Sequence, residues 1–245
     1  MVINNNFFLG FHFVHFMKEF SKSIAEAGLS IGAMKLNAEN PFQWASGYRM
    51  PIYNDNRMFL YHPEHRKIII NGFESIFKEE KLTFDAIAGT STAGIPWAAI
   101  LAEKLGKPMI YIRDKPKDHG LKNQIEGIDA EKGLDGKKVI VIEDLISTGG
   151  SSAAAVQAVR NAGGKADVII SIFNYGLGKA IEEFNSLKTG CKVLSLLDYD
   201  TLLTVATETK YLKPNQVDIL KEWRADPFNW GAKHGFPKVE KPEKK

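Results

Sequence analysis

The sequence holds one cysteine, Cys191, in 245 residues. A single thiol can form neither an internal disulfide nor a multi-cysteine zinc site, and it fits a reducing compartment such as the cytoplasm. At the start of an apolar run, Cys191 reads as a small buried hydrophobe. Net charge is scarce as well. The 32 basic and 29 acidic side chains leave +3, too little to argue for nucleic acid or an anionic membrane surface as a partner. No stretch of about 20 apolar residues is present, so no membrane-spanning helix is expected. A GxxxxGK-Ser/Thr loop is also missing, which excludes a P-loop nucleotide hydrolase. Gly176 and Gly178 begin a GxG, but Ile181 stands where the dinucleotide fingerprint needs its third glycine.

What is present is ordinary globular material: 44% hydrophobic and 25% charged residues, enough to bury a core. Residues 2–16, VINNNFFLGFHFVHF, are aromatic-rich without Lys or Arg, so they match neither a secretory signal nor a membrane span. Met17 is followed by KEFSKSIAEAGL, the opening of an amphipathic helix. The reading is that Met17 is the natural start and residues 1–16 a poorly ordered extension. Residues 17–235 form a single domain with a small N-terminal subregion at 17–60, and 236–245 a solvated charged tail.

Apolar spacing is helical from Phe20 through Ile24 to Ala27, and again over His65–Phe77. Between them, residues 40–57 are turn-rich and aromatic. Then a rhythm begins. Short apolar runs at Phe84–Ala88, Pro108–Ile112, Val139–Ile142, Asp167–Phe173 and Lys192–Leu197 alternate with helical stretches. The helices read through Leu105, over Ala153–Ala162, Leu177–Phe184, Tyr199–Glu208 and Val217–Trp223. That alternation predicts an α/β fold, a parallel sheet flanked by helices on both faces. In such sheets ligands sit beyond the carboxyl ends of the strands. The loops there, 89–95, 113–127 and 143–151, are the chemically most unusual segments of the chain.

VIVIEDLISTGGSS, residues 139–152, carries the strongest signal. An apolar strand ends on two adjacent acids, Glu143 and Asp144. After Leu145 and Ile146 come Ser147, Thr148, Gly149, Gly150 and Ser151, which open a helix. Backbone N–H groups can close around a phosphate where no side chain intrudes, the hydroxyls add donors, and the helix N-terminus adds positive potential. Acids beside a phosphate nest need another partner, and sugar hydroxyls or a hydrated Mg²⁺ supply one. The run RDKPKDHGLKNQIEG, 113–127, puts Arg113, Lys115, Lys117, His119 and Lys122 within ten residues. After a strand and near a phosphate site, it reads as a lid over an anion. Cations there favour a transition state in which pyrophosphate leaves.

The 139–152 segment resembles the phosphoribosyl-pyrophosphate motif of type I phosphoribosyltransferases. The 113–127 run is similar to the catalytic loop of the orotate branch, R-K-x-x-K-x-H-G, matched by Arg113, Lys117, His119 and Gly120. SGYRMPIYND at 46–55 is similar to that branch's segment near the base pocket, and GTSTAGIP at 89–96 occupies the place of its pyrophosphate loop. The resemblance implies a type I phosphoribosyltransferase fold whose N-terminal subregion forms a hood over the base. It implies transfer of phosphoribosyl from phosphoribosyl pyrophosphate to orotate, with Mg²⁺ held mainly by the substrate, in a cytoplasmic homodimer with shared active sites.

Carried over, Glu143 and Asp144 hold the ribose, Ser147 to Ser151 (Ser147, Thr148, Gly149, Gly150 and Ser151) cradle the sugar phosphate, and Leu145 and Ile146 belong to the same substrate-binding run. Arg113, Lys117 and His119 act in catalysis with Lys115 beside them, and Ser147 and Arg49 contact the base. Departures are Asp114, Ala45 and Ala93, each where the family often has lysine. No arginine for orotate's carboxylate lies near Phe173–Tyr175, which leaves Arg49 and Arg57 as candidates. A purine phosphoribosyltransferase, or a non-catalytic sensor of phosphoribosyl pyrophosphate, are the alternatives. A DNA-bound regulator is disfavoured, since no strongly basic face or helix-turn-helix segment is evident.

Overall fold

The structure, a computed structural model, describes residues 17–115, 124–129 and 131–240. Helix α1 (Met17–Ser30) buries Ile24, Ala25 and Leu29. Two short antiparallel pairs follow, β1 (Met34–Leu36) with β4 (Ile52–Asn54) and β2 (Phe42–Gln43) with β3 (Arg49–Met50). A 3₁₀ segment, Asn56–Tyr61, leads into α2 (Pro63–Glu79). Its proline sits at the first position, where a helix has no use for an N–H.

The remainder alternates: β5 (Ala86–Thr90), α3 (Gly94–Leu105), β6 (Met109–Ile112), β7 (Ile125–Glu126), β8 (Lys138–Ile146) and α4 (Gly150–Asn161). Then come β9 (Lys165–Asn174), α5 (Gly178–Asn185), β10 (Lys192–Asp198), α6 (Tyr199–Glu208), α7 (Pro214–Ala225) and α8 (Pro227–Lys233). The main sheet runs β10-β9-β8-β5-β6-β7, parallel throughout except for the β6–β7 pair.

Both faces of this sheet are covered, as runs such as Val139–Ile142, apolar at every position, require. Ile140 and Ile142 join Trp97 and Leu101 of α3 in one core, and Val139 and Val141 join Val156 and Val159 of α4 in the other. Cys191 is 3% exposed within the second core, as its sequence context suggested, and burial pushes its thiol up to about 12. Among the described residues, no helix is long and apolar enough to cross a membrane.

The strand order positions the site. From β5 the chain crosses by α3 to β6 on one side, whereas from β8 it crosses by α4 to β9 on the other. Adjacent crossovers that diverge leave a crevice beyond the strand ends, here between β5 and β8.

Several boundaries differ from the sequence reading. β8 does not stop at Ile142 but continues through Glu143 and Asp144, because β9 stays paired with it as far as Ile146↔Asn174. β5 starts at Ala86 and reaches Thr90, which pairs with Ile112. Phe84 stands ahead of it, packed on Phe77 at 5.0 Å. The basic run is closed at its base as a hairpin, since β7 returns antiparallel to β6.

The turn-rich 40–57 region takes its shape from the far end of the chain. Trp44 packs on Trp223 of α7 at 6.2 Å and on Tyr175 at 5.4 Å, and Tyr48 on Phe228 of α8 at 5.2 Å. The Trp44 indole donates to the Ile52 carbonyl at 2.8 Å. Beyond α8, the Val239 N–H donates to the Gly47 carbonyl at 2.9 Å.

Candidate active site at the diverging strands

At the carboxyl ends of β5 and β8 a carboxylate is locked in place. Glu143 is 7% exposed. The Thr90 hydroxyl donates to its Oε1 at 2.7 Å, and the Ser152 hydroxyl, from the first turn of α4, donates to its Oε2 at 3.0 Å. Burial raises the Glu143 carboxyl to about 7, with the Thr90 hydrogen bond opposing the shift and the neighbouring Asp144 charge adding to it. The next residue, Asp144, shares a hydrogen bond with the Glu143 carboxyl. Burial pushes it up too, while Glu143 and Arg57 pull it down.

The chain then turns into α4. Gly149 is the residue before the helix, with φ +82 and no side-chain cap over the first turn. A Cβ at Gly149 would lie 2.9 Å from the Ala180 Cα, so the turn needs glycine for both its dihedral and its space. The first-turn N–H groups of α4, unsatisfied by the helix itself, therefore face the crevice. Across from them, Gly94 lets α3 start against β8: a Cβ there would be 2.4 Å from the Ile142 carbonyl. The Ser91–Thr92 peptide in the intervening loop is cis.

A cleft of about 120 Å³ opens between these turns, lined by Thr90, Ser91, Arg113, Gln124, Glu143 and Ser151. The five short segments that meet here all fall within the three loops singled out in the sequence. Ser147 and Thr148 are half-buried and Ser151 is exposed. Leu145 packs against the first core and Ile146 is fully buried in the second, so Ile146 can offer the cleft only main chain.

Arg113 reaches the cleft from β6, with its guanidinium 3.4 Å from Glu126 Oε1 and donating to the Lys115 carbonyl at 3.3 Å. Lys115 itself is exposed. Lys117 and His119 lie outside the described residues. Arg49 sits on β3 opposite Gln43, half-buried, with its backbone against Gly231 of α8. Arg57 is engaged by Asp55 through two contacts, Nε–Oδ1 at 2.6 Å and Nη2–Oδ2 at 2.9 Å.

Three side chains escaped the sequence reading: Thr90 and Ser152, which grip Glu143, and Asn56, whose Nδ2 donates to the Asp144 carbonyl at 2.7 Å. Thr90 and Ser152 stood next to noted motifs, but nothing in a linear pattern says that residues 53 and nine positions away share one carboxylate.

The donors gathered at Glu143, Asp144 and Thr90 are all oxygens, a set that suits Mg²⁺. Another group of ligand-type side chains among the described residues, His62, Glu64 and His65, has ligand atoms within 4.8 Å of one another. It sits at the start of α2, and its nitrogen-rich character does not suit that ion.

Residues 57–194 match the family model of the phosphoribosyl transferase domain. An orotate phosphoribosyltransferase of Streptococcus pneumoniae serotype 19F (strain G54) is 46% identical over 210 residues, 86% of this chain and 97% of that protein. The orotate phosphoribosyltransferase of Cytophaga hutchinsonii is 44% identical over 211 residues, 86% of this chain and 98% of that protein. Among solved structures, the crystal structure of orotate phosphoribosyltransferase from Aeropyrum pernix superposes with a TM-score of 0.64 at 25% identity, covering 78% of this chain and 99% of that one.

Proposed function

Since the chain belongs to the phosphoribosyl transferase family and transfers phosphoribosyl from phosphoribosyl pyrophosphate to orotate, we propose that the β5–β8 crevice is where the transfer occurs. The observation that carries this reading is the arrangement around Glu143. A buried carboxylate fastened by Thr90 and Ser152 ties the strand with the two acids to the turn with the free N–H groups.

In this reading the backbone and hydroxyls of residues 147–151 hold the 5′-phosphate, and Asp144 accepts from the ribose hydroxyls. Glu143, in the cleft lining, joins it: one bond to each oxygen from Thr90 and Ser152 fixes the geometry of the turn and leaves further lone pairs for the sugar. Ser91 and Arg113 face the pyrophosphate across the cleft, with Lys115, Lys117 and His119 completing the positive field from the hairpin loop. Ser147 and Arg49 lie on the base side.

The chemistry needs little covalent help from the protein. As the bond between the anomeric carbon and pyrophosphate lengthens, positive charge grows on the sugar and negative charge on the leaving group. Fixed cations and N–H dipoles in a closed cleft stabilise that separation more than they stabilise the ground state. Orotate's ring nitrogen then bonds to the anomeric carbon from the opposite face, giving orotidine monophosphate and free pyrophosphate. Mg²⁺ would add charge neutralisation at the pyrophosphate, and Asp144 is the side chain that would hold it. A lid over the cleft would exclude water from the activated sugar.

A homodimer in which each lid serves the partner's cleft, and a cytoplasmic location, complete the reading. Both rest on the likeness to the orotate branch, the second also on the lone buried thiol.

The test is loss of orotate absorbance on mixing protein, Mg²⁺ and phosphoribosyl pyrophosphate, run beside adenine, hypoxanthine and xanthine. Product from orotate alone is expected. Product only from a purine, or binding without product from any base, would overturn the reading.

A further inference from the structure

Asp144 is held by a second device, built from the three residues that follow β4. Asn56 is fully buried, and its Nδ2 donates to the Asp144 main-chain carbonyl at 2.7 Å. Its Oδ1 is buried without a partner among the described residues. A buried amide that leaves half its capacity unused is costly, so the bond to Asp144 is the return on burying this side chain. On one side of Asn56, Asp55 accepts from the Arg57 N–H and caps the 3₁₀ segment. On the other, Arg57 lies along Asp55 in a two-point pair. Such a fork holds a guanidinium in one orientation far better than a single contact does.

We propose that Asn56 and Arg57 are positioning residues for Asp144. Asn56 fixes the main chain that carries the acid, and Arg57, forked onto Asp55, holds the turn that presents Asn56 to it. The inference rests on the reading of Asp144 as the acceptor of the ribose hydroxyls. It adds a physical link between the base-side strands and the sugar-side acid, since the turn carrying all three residues is continuous with β4. A purely structural clasp would serve folding alone. A positioning clasp acts on one substrate more than on the other.

The experiment is a steady-state series on Asn56→Leu, Asn56→Gln, Arg57→Met and Arg57→Lys, with direct titration of phosphoribosyl pyrophosphate in the presence of Mg²⁺. For Asn56→Leu and Arg57→Met, the expected result is a rise of about tenfold in KM and Kd for phosphoribosyl pyrophosphate. KM for orotate should stay within about twofold, and Arg57→Lys should recover part of the loss by keeping a single contact to Asp55 in place of the fork. Asn56 is buried and its apolar variant can fail to fold. Arg57 has 61% of its side chain exposed, so its variants decide the matter in that event. Equal losses for both substrates, or Arg57→Met indistinguishable from wild type in both constants, overturn the inference. These outcomes are separate from failure of the functional reading, in which wild-type protein itself forms no orotidine monophosphate.

Discussion

Replacing Glu143 with glutamine should remove a pH dependence from the stability of the ligand-free protein. Burial, helped by Asp144 and opposed by Thr90, raises this carboxyl from an ordinary 4.5 to about 7. A folded-state value above the unfolded one means that the folded chain holds the proton more tightly. The stability this contributes is fully present below about pH 4.5 and is lost as pH rises through about 7. The difference between the two values corresponds to about 3 kcal/mol, or roughly 6–12 °C in melting temperature for a chain of this size. Glu143→Gln keeps an acceptor for Thr90 and an amide beside Ser152, so the packing survives while the titrating proton goes. Thermal unfolding of both proteins between about pH 5 and pH 9, without Mg²⁺ or substrate, reads the effect directly. Wild type should lose ground to the variant across this window by about 3 kcal/mol. Melting curves that stay parallel at every pH refute the claim that Glu143 is buried against its own ionisation.

Three further outcomes follow from the same geometry. Gly149→Ala places a Cβ 2.9 Å from the Ala180 Cα at φ +82, and should lower stability by about 2 kcal/mol in urea unfolding and weaken inorganic phosphate binding with it. An unchanged midpoint would mean that the turn is not held as described. Lys117→Ala should reduce kcat by at least about tenfold with an unchanged melting temperature, and wild-type turnover in that variant would remove the lid from the mechanism. Trp223, fully buried among Trp44, Tyr175 and Tyr199, should cost about 3–5 kcal/mol when truncated to alanine. A loss under about 1 kcal/mol in denaturant titration would show that α7 does not anchor the 40–57 region.

The α/β class, the parallel sheet and the helices on both faces were legible in the chain because they follow from local periodicity. Runs such as Val139–Ile142 are apolar at every position, which a strand covered on both faces requires. The phosphate turn was legible for a related reason: the glycine at 149 and the hydroxylic residues around it are demanded by dihedral angles and backbone donors within a few positions.

Tertiary structure alone decided which groups meet. Glu143 is read from sequence as a sugar ligand, but that Thr90 on the neighbouring strand and Ser152 on the following helix fasten its carboxylate no linear pattern tells. Arg57 is read from sequence as a candidate partner for orotate's carboxylate, and its pairing with Asp55 comes from a 3₁₀ turn too short to leave a periodic signature. The aromatic 40–57 stretch receives its packing from α7 and α8, more than 150 residues later. Periodicity reports what a segment needs from its surroundings. Only the closed fold, by strand order and crossover direction, determines which distant side chain supplies it.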